Sequence, residues 1–169
     1  MAIITLAEIQ SEFEIRASLM GLASRLACLN GTDTAIQAII DELDTVLALI
    51  EDGTAGRRLL EEGARLTRAI LEAAGNAHVT DMVESAYRRA AWHYAQVGRD
   101  MPVYIDRVGA CWQKARAAFL ARDGDAVDAA ARESVHVVQA ETLRRLVASG
   151  YAPDPSRSAR AAPQRATRR

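Results

Sequence analysis

The chain has 169 residues and a mass of 18.3 kDa, the size of a single domain with its own core. Half of the residues are hydrophobic, a quarter are charged and the net charge is −1, which excludes a wholly disordered chain and gives no electrostatic case for nucleic-acid binding by the whole molecule. No apolar run approaches the roughly 18–20 residues of a membrane span and the start lacks a basic signal region, so we expect a soluble, cytoplasmic protein without membrane contact.

Residues 1–149 carry six amphipathic helical patterns and no convincing strand. Thr5 and Glu8 have capping-box spacing before the first pattern, and glycine, asparagine and aspartate pairs separate most of the others. Pro102 fits only a first helical turn. The predicted helices are Leu6–Leu29, Thr34–Glu51, Arg57–Ala74, Thr80–Val97, Val103–Arg122 and Ala126–Ser149. Their short connections predict an all-α, antiparallel bundle of about six helices.

The apolar stripes of these helices predict which faces are buried. Cys28 and Cys111 are far apart in helical stretches, so we expect reduced, small apolar core residues rather than a disulfide. In the second helix, the predicted inward residues are Ile36, Ile39, Ile40, Leu43, Leu47 and Ile50. In the fourth, they are Met82, Val83, Ala86, Ala90 and either Trp92 or His93.

Residues 150–169 differ in composition from the rest of the chain. They hold five arginines, one acidic residue and three of the four prolines, with no large apolar residue after Tyr151. Such a segment cannot bury enough surface to offset the entropy of ordering it. We expect a basic, disordered tail, with a contact to nucleic acid or a partner as the alternative.

Enzyme motifs are nearly absent from the sequence. There is no glycine-rich phosphate loop, nucleophile elbow, C-x-x-C or H-E-x-x-H. Glu133 and His136 stand at E-x-x-H spacing, but di-iron bundles need two such motifs and two further glutamates. A surface pair is therefore the favoured interpretation, and a ferritin-like enzyme is kept as the third alternative.

Gly63 is unusual because it lies inside the third helix, where glycine costs about 1 kcal/mol relative to alanine. Thr67 follows four residues later on the same helical face. Together they leave a groove on one side of the helix. Close packing of another helix is the first interpretation of this groove, and space for a ligand is the second.

Three segments of the sequence resemble the FadR-type C-terminal domain, or FCD domain, of GntR-family transcription regulators. The opening LAEIQSEFEIRASLMGLASRLA is similar to the family's first helix, with the pattern E-x-R-x-x-x-E-x-x-A-x-x-x-A. RLTRAILEAAGN resembles D-x-x-F-H-x-x-I-x-x-A-x-G-N, and ARDGDAVDAAARESVHVV resembles the closing G-D-x-x-A-A…H helix. The resemblance implies an effector-binding, homodimeric helical domain and no enzyme. It implies DNA contact only through a winged helix-turn-helix, which we do not find ahead of the first helix in this sequence.

The resemblance also implies which residues meet the ligand. The family commonly holds a divalent metal with one aspartate and three histidines, and these positions fall on Gly63, Thr67, Lys114 and His136. A single imidazole cannot make such a site, so we predict no metal and no cofactor. Arg16 matches the first-helix arginine and suits a carboxylate, whereas Met20 replaces the family's usual glutamate. The predicted ligand-binding residues are Arg16, Thr67, Lys114 and His136.

Two functions remain open from the sequence. In the first, the domain binds a small organic acid or similar metabolite in the bundle centre and shifts the spacing of DNA-binding heads. In the second, it is a degenerate dimerisation or interaction module that binds no effector. For Lys114, the only lysine, the sequence allows either a solvent-reaching side chain or a buried cation that faces an anionic ligand.

Overall fold

Six α-helices make up the fold of the computed structural model, which describes residues 5–53, 57–97 and 102–150. The side chains of 89–97 and 102–104 lie outside the described residues. No strand occurs in the described ranges, so the predicted all-α bundle of about six helices is confirmed. The helices are α1 (Leu6–Asn30), α2 (Asp33–Glu51), α3 (Arg57–Ala74), α4 (Ala77–Val97), α5 (Pro102–Leu120) and α6 (Gly124–Ala148).

Side-chain caps set where the helices begin. At α1 the predicted capping box is confirmed, because Thr5 accepts from the Glu8 backbone and Glu8 accepts from the Thr5 backbone. The α4 helix begins at Ala77 rather than Thr80, since the Asn76 side chain accepts from the Val79 backbone at 3.1 Å. Asp123 caps α6 in the same way, so α6 begins at Gly124, two residues before its predicted start.

The α1 helix is the centre of the bundle. It packs against α6, α3 and α4, while α5 packs against α6 and α2. Its buried face includes Ile9 and Phe13 and several alanines, and Ala23 and Ala27 have no exposed surface. At Gly21, side chains of α6 lie close against α1, and an added Cβ would overlap the Asp128 carboxylate. Asp128 pairs there with Arg132, and the two side chains close over the glycine.

Some predicted faces are wrong in detail. In α2, Val46 and Leu49 are buried, whereas Leu47 and Ile50 are only half-buried. The α2 helix lies between α3 and α5, and contacts with both neighbours select the buried stripe where the sequence is apolar on two faces. Met82 is 55% exposed and was predicted to be buried. The stripe of α4 that meets the bundle instead consists of Val79, Val83 and Ala86.

Three sequence predictions lie outside the described residues. These are the basic tail, of which only residue 150 is described, the burial of the Ala90 side chain, and the burial of either the Trp92 or the His93 side chain. Both cysteines are 2% exposed, in agreement with their predicted place in the core. Within the described ranges, none of the helices combines the length and the apolar character that a bilayer crossing requires.

Candidate functional site

A large apolar cavity lies inside the bundle and takes side chains from all six helices. Its volume is about 1160 Å³, slightly above the ~300–1,000 Å³ of typical small-molecule pockets. Aliphatic and aromatic side chains make up most of the lining, among them Met20, Leu43, Leu66, Val83, Trp112, Phe119 and Val135. A cavity of this size and composition can hold an organic molecule.

The packing of α3 and α4 explains why this space is open. The two helices follow one another through a short turn at Gly75, yet each packs on α1 and they have little contact with each other. Exposed charged residues from both helices border the cavity here, namely Arg68 and Glu72 on α3 and Glu84 and Arg88 on α4. These residues form the rim of the cavity.

Gly63 and Thr67 face the cavity, which favours the ligand-space interpretation of their groove over close helix packing. Among the described residues, no atom lies within 4 Å of where a Cβ would stand at Gly63. Both residues line the cavity, and the Thr67 hydroxyl donates to the Gly63 carbonyl at 2.9 Å. The hydroxyl proton is therefore committed within the helix, while the oxygen can still accept from a ligand.

Arg16 is the buried cation of the site. The residue lines the cavity and is only 3% exposed. Its guanidinium carbon lies 5.0 Å from the centre of the Phe13 ring and 4.5 Å from that of Tyr87, within the range of cation–π attraction. The aromatic rings partly offset the cost of burying a charge. A cation held in this way at the wall of an apolar cavity suits an anionic group of a ligand.

Lys114 and His136 are not among the residues that line the cavity. The Lys114 Nζ lies 2.7 and 3.0 Å from the two Glu133 carboxylate oxygens, and its side chain is 59% exposed, so the buried-cation alternative is wrong. This hydrogen bond with Glu133 raises the pKa of Lys114. The His136 Nε2 lies 3.4 Å from a Glu14 carboxylate oxygen at the surface. Ligand contact by either residue stays a prediction.

The residues at the family's metal positions do not fit a metal ion. Gly63 has no side chain, the Thr67 hydroxyl bonds a carbonyl, and Lys114 is a cation paired with Glu133. In the parts of the chain that the structure describes, no three His, Cys, Asp or Glu side chains are grouped to hold a metal. Glu133 and His136 bind different partners, as a surface pair of separate contacts rather than a metal site.

The cysteines offer no activated nucleophile either. Burial raises the pKa of the Cys28 thiol, and burial followed by the nearby Glu133 charge raises that of Cys111. Both thiols therefore stay protonated at neutral pH, and the reactive form of a cysteine is the thiolate. Their chemistry is that of small apolar core residues.

Sequence reasoning did not identify several of the cavity residues, among them Ser24, Tyr87 and Trp112. For Ser24, a signal was present, because Arg16, Met20 and Ser24 recur every four residues and share one face of α1. Two polar residues on a face that is otherwise apolar indicate a lined cavity as readily as a core. Tyr87 and Trp112 carry no such signal, since aromatic residues on a helix most often belong to the core.

Comparison with known families accounts for this architecture. The sequence model of the FCD domain matches residues 12–137, about three quarters of the chain. A comparison with curated proteins gives no match. FCD domains are the effector-binding and oligomerisation domains of GntR-family regulators, which agrees with an all-helical bundle around a cavity. The chain therefore belongs to the FCD domain family.

Proposed function

We propose that this FCD domain is the ligand-sensing and dimerisation domain of a GntR/FadR-type transcription regulator. It binds a small organic acid or a similar metabolite in the central cavity, without a metal and without catalysing a reaction. The observation that carries the proposal is Arg16, a 3% exposed guanidinium on the wall of an apolar cavity of about 1160 Å³.

Arg16 is the residue that selects an anion. A guanidinium presents a planar fork of donors that matches a carboxylate with two parallel hydrogen bonds. The surrounding cavity is apolar, so water screens this attraction less than at the surface. The rings of Phe13 and Tyr87 both lie against the group, which limits the side-chain entropy lost on binding.

Gly63 and Thr67 shape the wall along α3. The glycine leaves room for ligand atoms, and Thr67 offers an acceptor oxygen and a methyl group. Lys114 and His136 would each have to leave a carboxylate partner before they could contact a ligand. The residues at the family's metal-ligand positions do not suit a metal ion, which supports a direct contact between the effector and the protein.

The output of the domain is a change in population between bundle arrangements. A ligand shifts such an equilibrium only by its difference in affinity for the two arrangements. In a homodimer, this shift would change the spacing of any winged helix-turn-helix domains attached to it, which are the DNA-binding part of this regulator family.

Native mass spectrometry of the purified chain tests the proposal. We expect a dimer that carries a small, non-metal mass in each chain. The variant Gly63→Leu should lose this mass, because a Cβ at Gly63 meets no described atom within 4 Å and a longer side chain from this lining position would occupy the cavity. The matched control Ala38→Leu adds the same side chain at an exposed position of α2 and should keep it.

Three results would contradict parts of the proposal. A dimer that carries zinc, nickel or iron would disprove the metal-free site. A mass that survives in Gly63→Leu would place the ligand elsewhere. A bare dimer that no organic acid stabilises in thermal unfolding would favour the interaction module that binds no effector.

A further inference from the structure

We infer that the effector is an amphiphile with a single anionic group, that is, one carboxylate attached to an apolar body of about six or more carbons. The inference rests on the proposed function and adds the chemical class of the ligand to it. Three features of the cavity support it: the distribution of charged side chains, the hydrogen bonds that the lining hydroxyls already donate, and the size of the apolar wall.

Charge in the cavity is limited to one buried group. Among the described lining residues the charged side chains are Arg16 and the four rim residues, and only Arg16 is buried. The rim contains two arginines and two glutamates, and Arg88 lies 3.6 Å from Glu84. The rim charges therefore balance one another. Arg16 is therefore the one buried cation on the described wall, and a second carboxylate buried beside the first would meet no further cation there.

The hydroxyl groups of the lining have little to offer a polar ligand. Thr67 donates to the Gly63 carbonyl at 2.9 Å, Thr80 to the Asn76 carbonyl at 3.2 Å, and Ser134 to the Ala131 carbonyl at 2.8 Å. Three of the four serine and threonine hydroxyls on the described wall thus donate their hydrogen bond to a backbone carbonyl nearby in sequence. A ligand with many hydroxyls would lose its water and find few donors in exchange, which is unfavourable.

The apolar wall fits a body much larger than a short acid. The cavity of about 1160 Å³ exceeds what a two- or three-carbon acid could fill. Aliphatic residues from five helices and the rings of Trp112 and Phe119 surround the space beyond Arg16. Burial of each additional methylene of a ligand strengthens binding by about fourfold. Affinity should therefore grow with chain length until the cavity is full.

Matched ten-carbon ligands separate the possible classes. Decanoate, 1-decanol and decanedioate each have ten carbons and carry one carboxylate, one hydroxyl and two carboxylates respectively. Citrate has three carboxylates and no apolar body. Hexanoate and octanoate extend the series to shorter chains, and 4-phenylbutyrate offers an aromatic body. Binding is measured by calorimetry on the full chain and by the emission of Trp112 in a Trp92→Phe background, in which Trp112 is the only tryptophan.

We expect decanoate to bind at least about tenfold more tightly than 1-decanol and decanedioate, in line with one charge-assisted contact. Affinity should rise about fifteenfold from hexanoate to octanoate and again to decanoate, because each step adds two methylenes. Arg16→Gln should reduce decanoate to the level of decanol. Gly63→Leu adds a side chain at a lining position where a Cβ meets no described atom within 4 Å, so it should weaken the binding of all the long ligands. This variant keeps the test valid if Arg16→Gln does not fold. A stronger response to 4-phenylbutyrate than to octanoate would identify an aromatic body within the same class.

The remaining outcomes separate the inference from the function on which it rests. Tighter binding of citrate or decanedioate than of decanoate, with loss in Arg16→Gln, would overturn the amphiphile class and leave effector binding in place. Equal binding of decanol and decanoate would overturn the anionic group. If neither calorimetry nor Trp112 emission detected binding of any of these ligands, the proposed function itself would be overturned.

Discussion

Arg122 shows how one side chain joins two helices and the turn between them. It lies just after α5, and its guanidinium donates to the Cys28 and Gly31 carbonyls and to the Asp33 carboxylate. These bonds satisfy the end of α1, where carbonyls have no helical partner. Arg122 also has a positive φ of 55°, a conformation that costs a non-glycine residue about 1 kcal/mol or more.

We expect Arg122→Ala to lower the free energy of unfolding by about 1–2 kcal/mol, because the charged hydrogen bonds are lost and the backbone strain remains. Arg122→Gly loses the same bonds but relieves the strain, so it should be more stable than the alanine variant by about 1 kcal/mol. Urea unfolding of both variants measures the difference. Equal stability of Arg122→Ala and the wild type would contradict the capping role.

At the scale of single residues, the sequence predicted part of the site. Arg16 and Thr67 line the cavity, and each was found through a position that departs from an apolar helix face or matches a family pattern. The exposed position of Lys114 and its pairing with Glu133 were not predictable, because Glu133 is 19 residues away in sequence and becomes a neighbour only when α5 packs on α6. The sequence predicted a groove at Gly63, but it could not predict whether that groove is filled, because this depends on how a second helix packs.

Within α6, one glutamate links stability to pH. Glu141 is 8% exposed, and hydrogen bonds from Arg144 and then Arg145, one turn away, lower its pKa to about 2. A carboxyl with a lowered pKa stabilises the fold above its unfolded pKa of about 4.5, and this contribution is lost as the pH falls toward 2.

Glu141→Gln should therefore be less stable than the wild type by about 1–3 kcal/mol at neutral pH, and the difference should shrink between about pH 5 and pH 2. Denaturant unfolding at several pH values measures it. Glu61→Gln is a suitable control, since Glu61 is 56% exposed and pairs with Arg57 at the surface, where such a pair contributes less than about 1 kcal/mol. A difference for Glu141→Gln that is constant with pH would argue against the linkage.

Helix positions were the most predictable elements, because their signals are local. The α3 range Arg57–Ala74 agrees at both ends, and the other starts and ends differ by at most three residues. The larger differences come from caps, such as Asn76, that shift a start by part of a turn. Burial of whole faces was less predictable, as Met82 and Val46 show, because the neighbouring helices decide which of two apolar stripes turns inward.

For the whole molecule, the sequence predicted a bundle but not its cavity. The periodicity of α3 and of α4 gives each helix an apolar face, and both helices pack against α1. Neither sequence pattern determines the distance between α3 and α4 once both are packed on α1. The cavity is a property of this arrangement, and so is the uneven support of the helices, since α1 and α6 have several packing partners while α4 rests mainly on α1.

This unevenness predicts a gradient of local stability, which hydrogen exchange can measure. In the ligand-free protein, amides of α4 between Val79 and Arg88 should exchange at least about tenfold faster than those of α1 between Ile9 and Cys28, because fewer packed contacts must break to expose them. A bound ligand touches both sides of the cavity, so it should slow exchange in α4 and along α3 between Gly63 and Glu72. The exposed face of α2 around Ala38 is the internal reference and should change least. Equal protection of α1 and α4 from exchange without ligand would contradict this gradient, because it would mean that contacts other than those with α1 hold α4. The cavity would then be a rigid feature of the bundle rather than one that a ligand stabilises.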